Sequence, residues 1–444
     1  MDVVCANSAL LAAYLLMFRV EPFRYFQPSK AGIARGVVVL VTVLCTSYFM
    51  ELYSRNLRLD LAGIAARVAI SLNLAFLGLS LFIFIVPTFT IGQRFLTLYL
   101  LGFGAFQFLC HAGFRYAEQQ FNLLPKVLIL GSGPLAATIG EIVNGRSENY
   151  VLAGFVATGG EQSVVSHDQI RGNGGSLFEI SKREGVDKIV VSASNRLNEY
   201  PLQDILTCKL NGIEVFDAPT FYELTTGKLL IEHITPEWFV FSQGFYLSPL
   251  RRVIKRCTDI LICLTVLPIL IPFLPIMALI IKLDSPGPVF FQQVRVGENE
   301  KLFTLYKLRT MDNNAEVETG AIWAQDNDPR ITRVGNFLRK CRLDEFPQLF
   351  NVLRGDMSIV GPRPERPEFI EQLKEIIPYY SERHLIKPGV TGWAQVSYPY
   401  GSSVDDAIEK LRYDLYYLKN FSIQLDAMIV LETIKVVFFQ RGGR

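Results

Sequence analysis

Two adjacent carboxylates, Asp344 and Glu345, lie in the stretch GNFLRKCRLDEFPQLFNVLRGDMSIVGPRPE (335–365), among Arg339, Lys340, Arg342, Arg354 and Arg363. A positioned, ionised carboxylate can act as a nucleophile, and a pair of them can hold a hard divalent cation. Guanidinium groups bind phosphate bidentately, and Arg363 is presented between the rigid rings of Pro362 and Pro364. Phe346, Leu349, Phe350, Val352 and Leu353 are spaced for a short helix that ends at Gly355. That helix tolerates Pro347 in its first turn and puts Asp344 near its N-cap, where free N–H groups and the helix dipole favour the charged form. The competing reading is structural, with Asp344 only a cap and Glu345 only a solvated acid of the first turn.

Further motifs share this half of the chain: Lys307-Leu308-Arg309-Thr310-Met311, Asp328-Pro329-Arg330-Ile331-Thr332, Gly355-Asp356-Met357-Ser358, Gly361-Pro362-Arg363-Pro364 and Lys387-Pro388-Gly389-Val390-Thr391-Gly392-Trp393. With Leu343-Asp344-Glu345, and in this order, they make 251–444 resemble the bacterial sugar transferases, the polyprenyl-phosphate hexose-1-phosphate transferases. Arg342 departs from the pattern, since many relatives carry a small polar residue there. Lys307 and Arg309 alternate on a predicted strand, Leu302 to Arg309, and would share a face. The resemblance makes them partners for phosphate or carboxylate.

Composition sets the setting. The 444 residues have room for two or three domains; half are apolar and the mean hydropathy is positive, which points to membrane segments. A net charge of +2 says little about partners, and no nucleic-acid partner is expected. Seven cysteines without a C-x-x-C pair and four dispersed histidines suggest neither a disulfide framework nor a metal cluster. No signal peptide is expected, because Asp2 and no basic residue precedes the first apolar run.

In chain order, apolar segments at about 3–18, 36–53, 66–87 and 92–114 predict four membrane helices within 1–120, the first one short. Basic residues in the two connecting loops do not decide their orientation. Lys126–Leu130 reads as a buried strand, followed by the G-x-G-x-x-A turn of Gly131, Gly133 and Ala136 and a helix. Further strands at 152–157, 187–192 and 213–216 give a Rossmann-like α/β domain over 126–235. Gly131 and Gly133 could cradle a nucleotide phosphate. The second strand ends in Gly159-Gly160 rather than in the acid that binds a ribose diol, so a redox role is not favoured.

An apolar run from Ile260 to Ile281 follows, interrupted by Pro268, Pro272 and Pro275 and basic on both flanks. If both flanks prefer the cytoplasm, the helix enters and returns on one face, with its break at Pro268; a straight crossing is the alternative. The resemblance implies the same re-entrant helix over 251–282, seating a small α/β catalytic domain over 283–444. Long relatives also carry four membrane helices and a Rossmann-like domain ahead of it. The closing helix, with Met428, Ile429, Leu431, Ile434, Val437 and Phe438, is either core or interfacial.

The resemblance therefore implies transfer of a sugar-1-phosphate from a nucleotide diphosphate sugar to a polyprenyl phosphate, at the bacterial inner membrane on its cytoplasmic face. This would start a surface polysaccharide such as an exopolysaccharide. Asp344 would be the nucleophile and Glu345 a metal-positioning group or a base, with Mg²⁺ at the pair. Lys307, Arg309, Arg339 and Arg363 would hold phosphate. Two alternatives remain in view: a membrane-bound NAD-dependent epimerase or dehydratase, and a non-catalytic assembly protein that senses nucleotide sugar. A homo-oligomer is left open.

Overall fold

The computed structural model describes residues 30–50, 52, 61–89, 93–121, 124–145, 150–158, 162–173, 176–192, 201–234, 236–312, 328–399, 401 and 403–439. The chain divides into two compact units, Met1–Ala218 and Pro219–Arg444.

The first unit opens with α1 (Lys30–Phe49), α2 (Leu61–Ile85) and α3 (Gln93–Phe121). Val39 and Val43, Ala75 and Leu79, and Tyr99 and Phe103 face one another in a shared core. Leu77, Leu81, Phe84 and Ile85 point outward and are exposed, so α2 is apolar all round, as suits a helix surrounded by lipid. Gln107 Nε2 donates to Ser47 Oγ at 3.0 Å, a polar tie buried between helices. The expected first segment, 3–18, lies outside the described residues. Among the described residues three helices are long and apolar enough to cross a membrane: Leu61–Ile85, Leu96–Ala117 and Pro249–Asp284. The apolar part of α1, Ala34–Phe49, is shorter, about 24 Å at helical rise, against roughly 30 Å of hydrocarbon.

An α/β domain follows. Strands β1 (Lys126–Leu130), β2 (Val151–Ala157), β3 (Ile170–Asn173), β4 (Lys188–Val191) and β5 (Glu214–Asp217) form one sheet in the order β3-β2-β1-β4-β5, paired in parallel throughout. Helices α4 (Pro134–Gly145), α5 (Leu177–Glu184) and α6 (Leu202–Leu210) connect them. This is the doubly wound order, with β1 central and Val127 to Leu130 buried. β3 is the one strand the sequence pattern did not suggest, since Ile170-Arg171-Gly172-Asn173 has a single apolar residue. The backbone at Gly131 has φ 128°, which a side chain would strain, and α4 begins just beyond at Pro134. Ser132 O accepts from Val164 N at 2.9 Å. Gly159 and Gly160 lie outside the described residues.

The second unit begins earlier than sequence suggests. The expected Rossmann-like domain runs to 235, but 219–234 packs with the C-terminal unit. Helix α7 (Ala218–Thr226) leads into Leu229, Ile231 and Ile234, which join the same core as Val352, Met357 and Leu415. Leu229 N donates to Arg412 O at 3.1 Å, and Trp393 Nε1 donates to Gly227 O at 2.7 Å. Apolar residues follow the chemistry of the nearest core rather than the order of the chain. A fragment 219–444 in detergent should therefore melt cooperatively, whereas 248–444, stripped of these side chains, should melt well below it; equal midpoints would show that the segment is peripheral.

After α8 (Pro236–Phe241), Ser248 caps α9 (Pro249–Leu270), accepting from Arg251 N at 3.3 Å. Helical geometry runs through Pro268 and tightens only at Ile271–Phe273, before α10 (Leu274–Asp284). The break expected at Pro268 thus falls a turn later. Pro268, Pro272 and Pro275 together leave three carbonyls without their amide donor; Pro272 lies inside the tightened turn and Pro275 just beyond it. The C-terminal half then adds the antiparallel hairpin β6 (Phe290–Val296) and β7 (Leu302–Leu308), α11 (Arg333–Lys340), α12 (Gln348–Arg354), β8 (Ser358–Val360), α13 (Pro367–Ile376), β9 (Gly389–Thr391), α14 (Trp393–Ser397), α15 (Val404–Lys419) and α16 (Ile423–Phe439). Ile429 of α16 is fully buried in the core of this unit, while Ile434 is exposed.

Candidate active site

The dyad is not at the N-cap of an α-helix. Asp344 and Glu345 occupy a 3-10 turn, Leu343–Glu345, and α12 starts only at Gln348, with Pro347 as its cap. Leu343 and Phe346 turn inward, and both carboxylates are buried. The turn is entered through Arg342 at φ 54°, a left-handed backbone that costs an L residue about 1–2 kcal/mol. Gly355 ends α12 at φ 93°, as its sequence position suggested.

The two acids differ sharply in their surroundings. Glu345 Oε1 accepts from Arg363 at 2.8 Å and lies 3.5 Å from Lys307 Nζ; Oε2 lies 3.9 Å from Arg342. Burial pushes Glu345 up, but Arg363, Lys307 and Arg342 outweigh it and hold the carboxyl at about 2. Its favourable contribution to folding is thus present above the ordinary value of 4.5 and is lost as pH falls towards about 2. Among the described residues no side chain hydrogen-bonds or ion-pairs Asp344. Burial raises its pKa and the charge of Glu345 adds to this; Lys307, Arg339 and Arg363 oppose both without direct contact. One acid is saturated by cations; the other is left available beside them.

The cations are placed by separate pieces of the fold. Lys307 is on β7, and Asn351 of α12 locks that strand by accepting from Tyr306 N at 3.2 Å and donating to Thr304 O at 2.7 Å. A fully buried amide standing in for a strand partner was not foreseen; its signal would have been a polar residue amid the apolar face of α12. Arg339 comes from α11, whose Thr332 cap accepts from Gly335 N at 3.0 Å, and Arg339 Nε donates to Thr310 Oγ1 at 2.9 Å. Arg363 follows β8, which pairs with β9. Gly361 N donates to Thr391 O at 2.9 Å, and a Cβ on Gly392 would sit 2.2 Å from Gly361 O. Only glycine allows the two backbones so close, which joins the GPRP and PGVTGW motifs physically. Asp259 of α9 pins the same strand, accepting from Ser358 Oγ and Ile359 N, both at 3.0 Å.

Arg309 is elsewhere. The strand ends at Leu308, and the buried guanidinium turns away to donate to Ser285 O at 2.6 Å, Ser285 Oγ at 3.0 Å and Pro286 O at 2.7 Å, beyond the end of α10. The alternation expected of Lys307 and Arg309 fails because the second residue lies past the strand. Arg309→Ala leaves these acceptors unpaired, so it should lower the thermal midpoint by several degrees. Affinity for inorganic pyrophosphate should change far less than for a change at Lys307. A normal midpoint with lost affinity would return Arg309 to the site.

Among the described residues no group of three or more His, Cys, Asp or Glu could by itself hold a metal. Mg²⁺ takes one or two carboxylates and completes its shell with phosphate and water; of this pair, Asp344 is the acid that no cation engages among the described residues, while Glu345 is held by Arg363 and Lys307. Four cationic side chains, Lys307, Arg339, Arg342 and Arg363, face two carboxylates, so the site carries room for the negative charge of a diphosphate.

The C-terminal unit thus sets a buried, unbonded acid among cationic side chains, on an α/β domain backed by an apolar helix. The bacterial sugar transferase family matches residues 250–440. The chain is 44% identical over 187 residues to the exopolysaccharide production protein PSS of Rhizobium leguminosarum bv. phaseoli, covering 94% of that protein and 41% of this one. It therefore belongs to the bacterial sugar transferase family. It is also 44% identical over 238 residues (53% of this chain, 55% of the relative) to the UDP-N-acetylgalactosamine-undecaprenyl-phosphate N-acetylgalactosaminephosphotransferase of Aeromonas hydrophila. With the undecaprenyl-phosphate glucose phosphotransferase of Komagataeibacter xylinus it shares 34% over 329 residues, 72% of this chain and 60% of the relative. The chain thus spans a little over half the length of these last two.

Proposed function

We propose that this protein transfers a sugar-1-phosphate from a nucleotide diphosphate sugar to polyprenyl phosphate, as the first step of an exopolysaccharide. The observation that carries the reading is the asymmetry of the dyad, with Glu345 bonded by cations and Asp344 unbonded beside them. In the first half-reaction a carboxylate oxygen of Asp344 attacks the sugar-bearing β-phosphorus. The bond from that phosphorus to the oxygen bridging the two phosphates breaks, and the nucleoside monophosphate leaves with that oxygen. In the second, an oxygen of polyprenyl phosphate attacks the same phosphorus and expels Asp344, giving polyprenyl diphosphate sugar. Two steps let a water-soluble donor and a lipid acceptor use one site in turn. Lys307, Arg339 and Arg363 hold the phosphoryl oxygens as charge builds. Mg²⁺ would neutralise diphosphate charge, held on the protein side by Asp344, because Glu345 is already bonded by Arg363 and Lys307. The test is to incubate purified protein and undecaprenyl phosphate with labelled UDP-sugars. Lipid-linked label with nucleoside monophosphate released one for one supports the reading, and its absence with every sugar of a broad panel refutes it.

One stripe supports a reading of how the protein sits in the membrane. Cys263 and Leu267 of α9, and Met277 and Ile281 of α10, are buried in the cores of the C-terminal unit, and buried Asp259 bonds to Ser358 and Ile359. Leu261, Leu264, Ile269, Ile276, Leu279 and Leu283 are exposed. A helix perpendicular to the bilayer could not touch a water-soluble domain along its whole length. We therefore read α9 and α10 as a re-entrant pair that lays its outer face in one leaflet, with the catalytic domain on the cytoplasmic face of the inner membrane. Cysteines introduced at Arg251 and Gln292 should both react with an impermeant maleimide from the cytoplasmic side. Reaction from opposite sides would mean a true crossing.

A further inference from the structure

Arg363 is fixed at both ends of its guanidinium. One amino group donates to Glu345 and the other to Gln395 Oε1, each at 2.8 Å. With its oxygen turned to Arg363, Gln395 leaves Nε2 buried and without a partner among the described residues. The amide therefore serves the arginine at the expense of its own hydrogen bonding. Gln395 stands on the five-residue helix α14, started by Trp393. The indole of Trp393 donates to Gly227 O at 2.7 Å and stacks on Tyr416 with centroids 6.1 Å apart. Gly227 has φ 67°, and a Cβ there would lie 3.2 Å from the indole, so the contact is built for glycine. Next to it Lys228 pairs with Glu409 and lies over the rings of Tyr222 and Tyr413 at 5.7 and 5.6 Å. Contacts thus run from the segment ahead of the membrane helix to Trp393, along the backbone of α14 to Gln395, and from there to Arg363 and Glu345.

We propose that Gln395 is a positioning residue that sets the plane of Arg363 towards the donor diphosphate, and that 219–234 holds it there through Trp393. The proposal rests on the transfer reading for its substrate, but not for its geometry. The experiment uses the full chain in nanodiscs, with Gln395→Leu, Trp393→Phe and Arg363→Ala, alone and with Gln395→Leu combined with Arg363→Ala. Transfer kinetics and calorimetric affinity for inorganic pyrophosphate with Mg²⁺ are both read. Gln395→Leu should weaken pyrophosphate binding and kcat/KM by at least about tenfold, the scale of a lost hydrogen bond to a charged group. Trp393→Phe, which keeps the ring and loses the N–H, should shift both the same way by less. In the Arg363→Ala background Gln395→Leu should cost nothing more, because its effect acts through that arginine. A purely structural glutamine would give equal losses in both backgrounds. Additive losses, or wild-type pyrophosphate affinity in Gln395→Leu, would overturn the proposal. Pyrophosphate binding that follows this pattern in a wild type without transfer would refute the transfer reading and leave the positioning role standing. A wild type with neither transfer nor pyrophosphate binding would overturn both.

Discussion

Asp344→Asn abolishes transfer and leaves the protein folded. Asparagine is isosteric and keeps an oxygen in the same place, but its neutral amide cannot displace a nucleotide from phosphorus. Asp344 makes no ion pair among the described residues, so its neutralisation breaks no contact, and Glu345 keeps Arg363, Lys307 and Arg342. The expected loss is about four to six orders of magnitude in the chemical step, the scale of removing a covalent nucleophile. The checks are a single-turnover assay with labelled donor and a thermal melt on the same sample. An Asn variant with wild-type turnover would eliminate the covalent mechanism, and so would a non-catalytic role for the protein. The wild type should also lose rate on the acid side at a pH above the ordinary aspartate value of 3.8, because burial and the charge of Glu345 raise the pKa of the group that must be ionised to attack.

Arg363→Ala should cost a factor of about 100 or more in kcat/KM. Two losses combine. The phosphoryl oxygens lose a donor, and Glu345 loses the cation that contributes most to holding its carboxyl at about 2. The carboxyl of Glu345 then titrates at higher pH, so the variant should also lose stability at a less acid pH than the wild type, by the linkage argued above. Lysine should not rescue it, since one ammonium cannot replace the planar fork that reaches both Glu345 and Gln395. Steady-state kinetics with saturating lipid acceptor, and melts from pH 3 to 7 (about the range over which carboxylates titrate), measure both effects. Full activity in Arg363→Lys would mean that charge alone matters there.

Both predictions begin from residues legible in the sequence. The acidic pair, the arginine between prolines and the apolar runs are local signals, set by residue type and spacing. The G-x-G turn and four of the five sheet strands were visible for the same reason, as buried parallel strands are short apolar runs bounded by turns. β3 was not, because Gly172 and Asn173 carry no strand pattern.

What tertiary structure decided was which charges meet. Lys307 and Arg309 are two residues apart, yet one reaches Glu345 and the other closes the end of α10, because the strand stops between them. Nothing in the spacing shows that Gln395 and Arg363 share a hydrogen bond; that follows from Gly361, Gly389 and Gly392 letting β8 and β9 pack without side chains between them. The helix dipole expected to serve Asp344 is absent, and cations from β7, α11 and the loop after β8 take its place. The boundary at 235 moved to 218 for a similar reason, since Leu229 and Ile231 bury against whichever core lies nearest in space. Sequence by itself determined the candidate reactive groups and the membrane character of this protein, because those depend on composition and local period. The long-range fold decided the difference between Asp344 and Glu345, because a carboxylate's charge and availability depend on neighbours brought from distant segments.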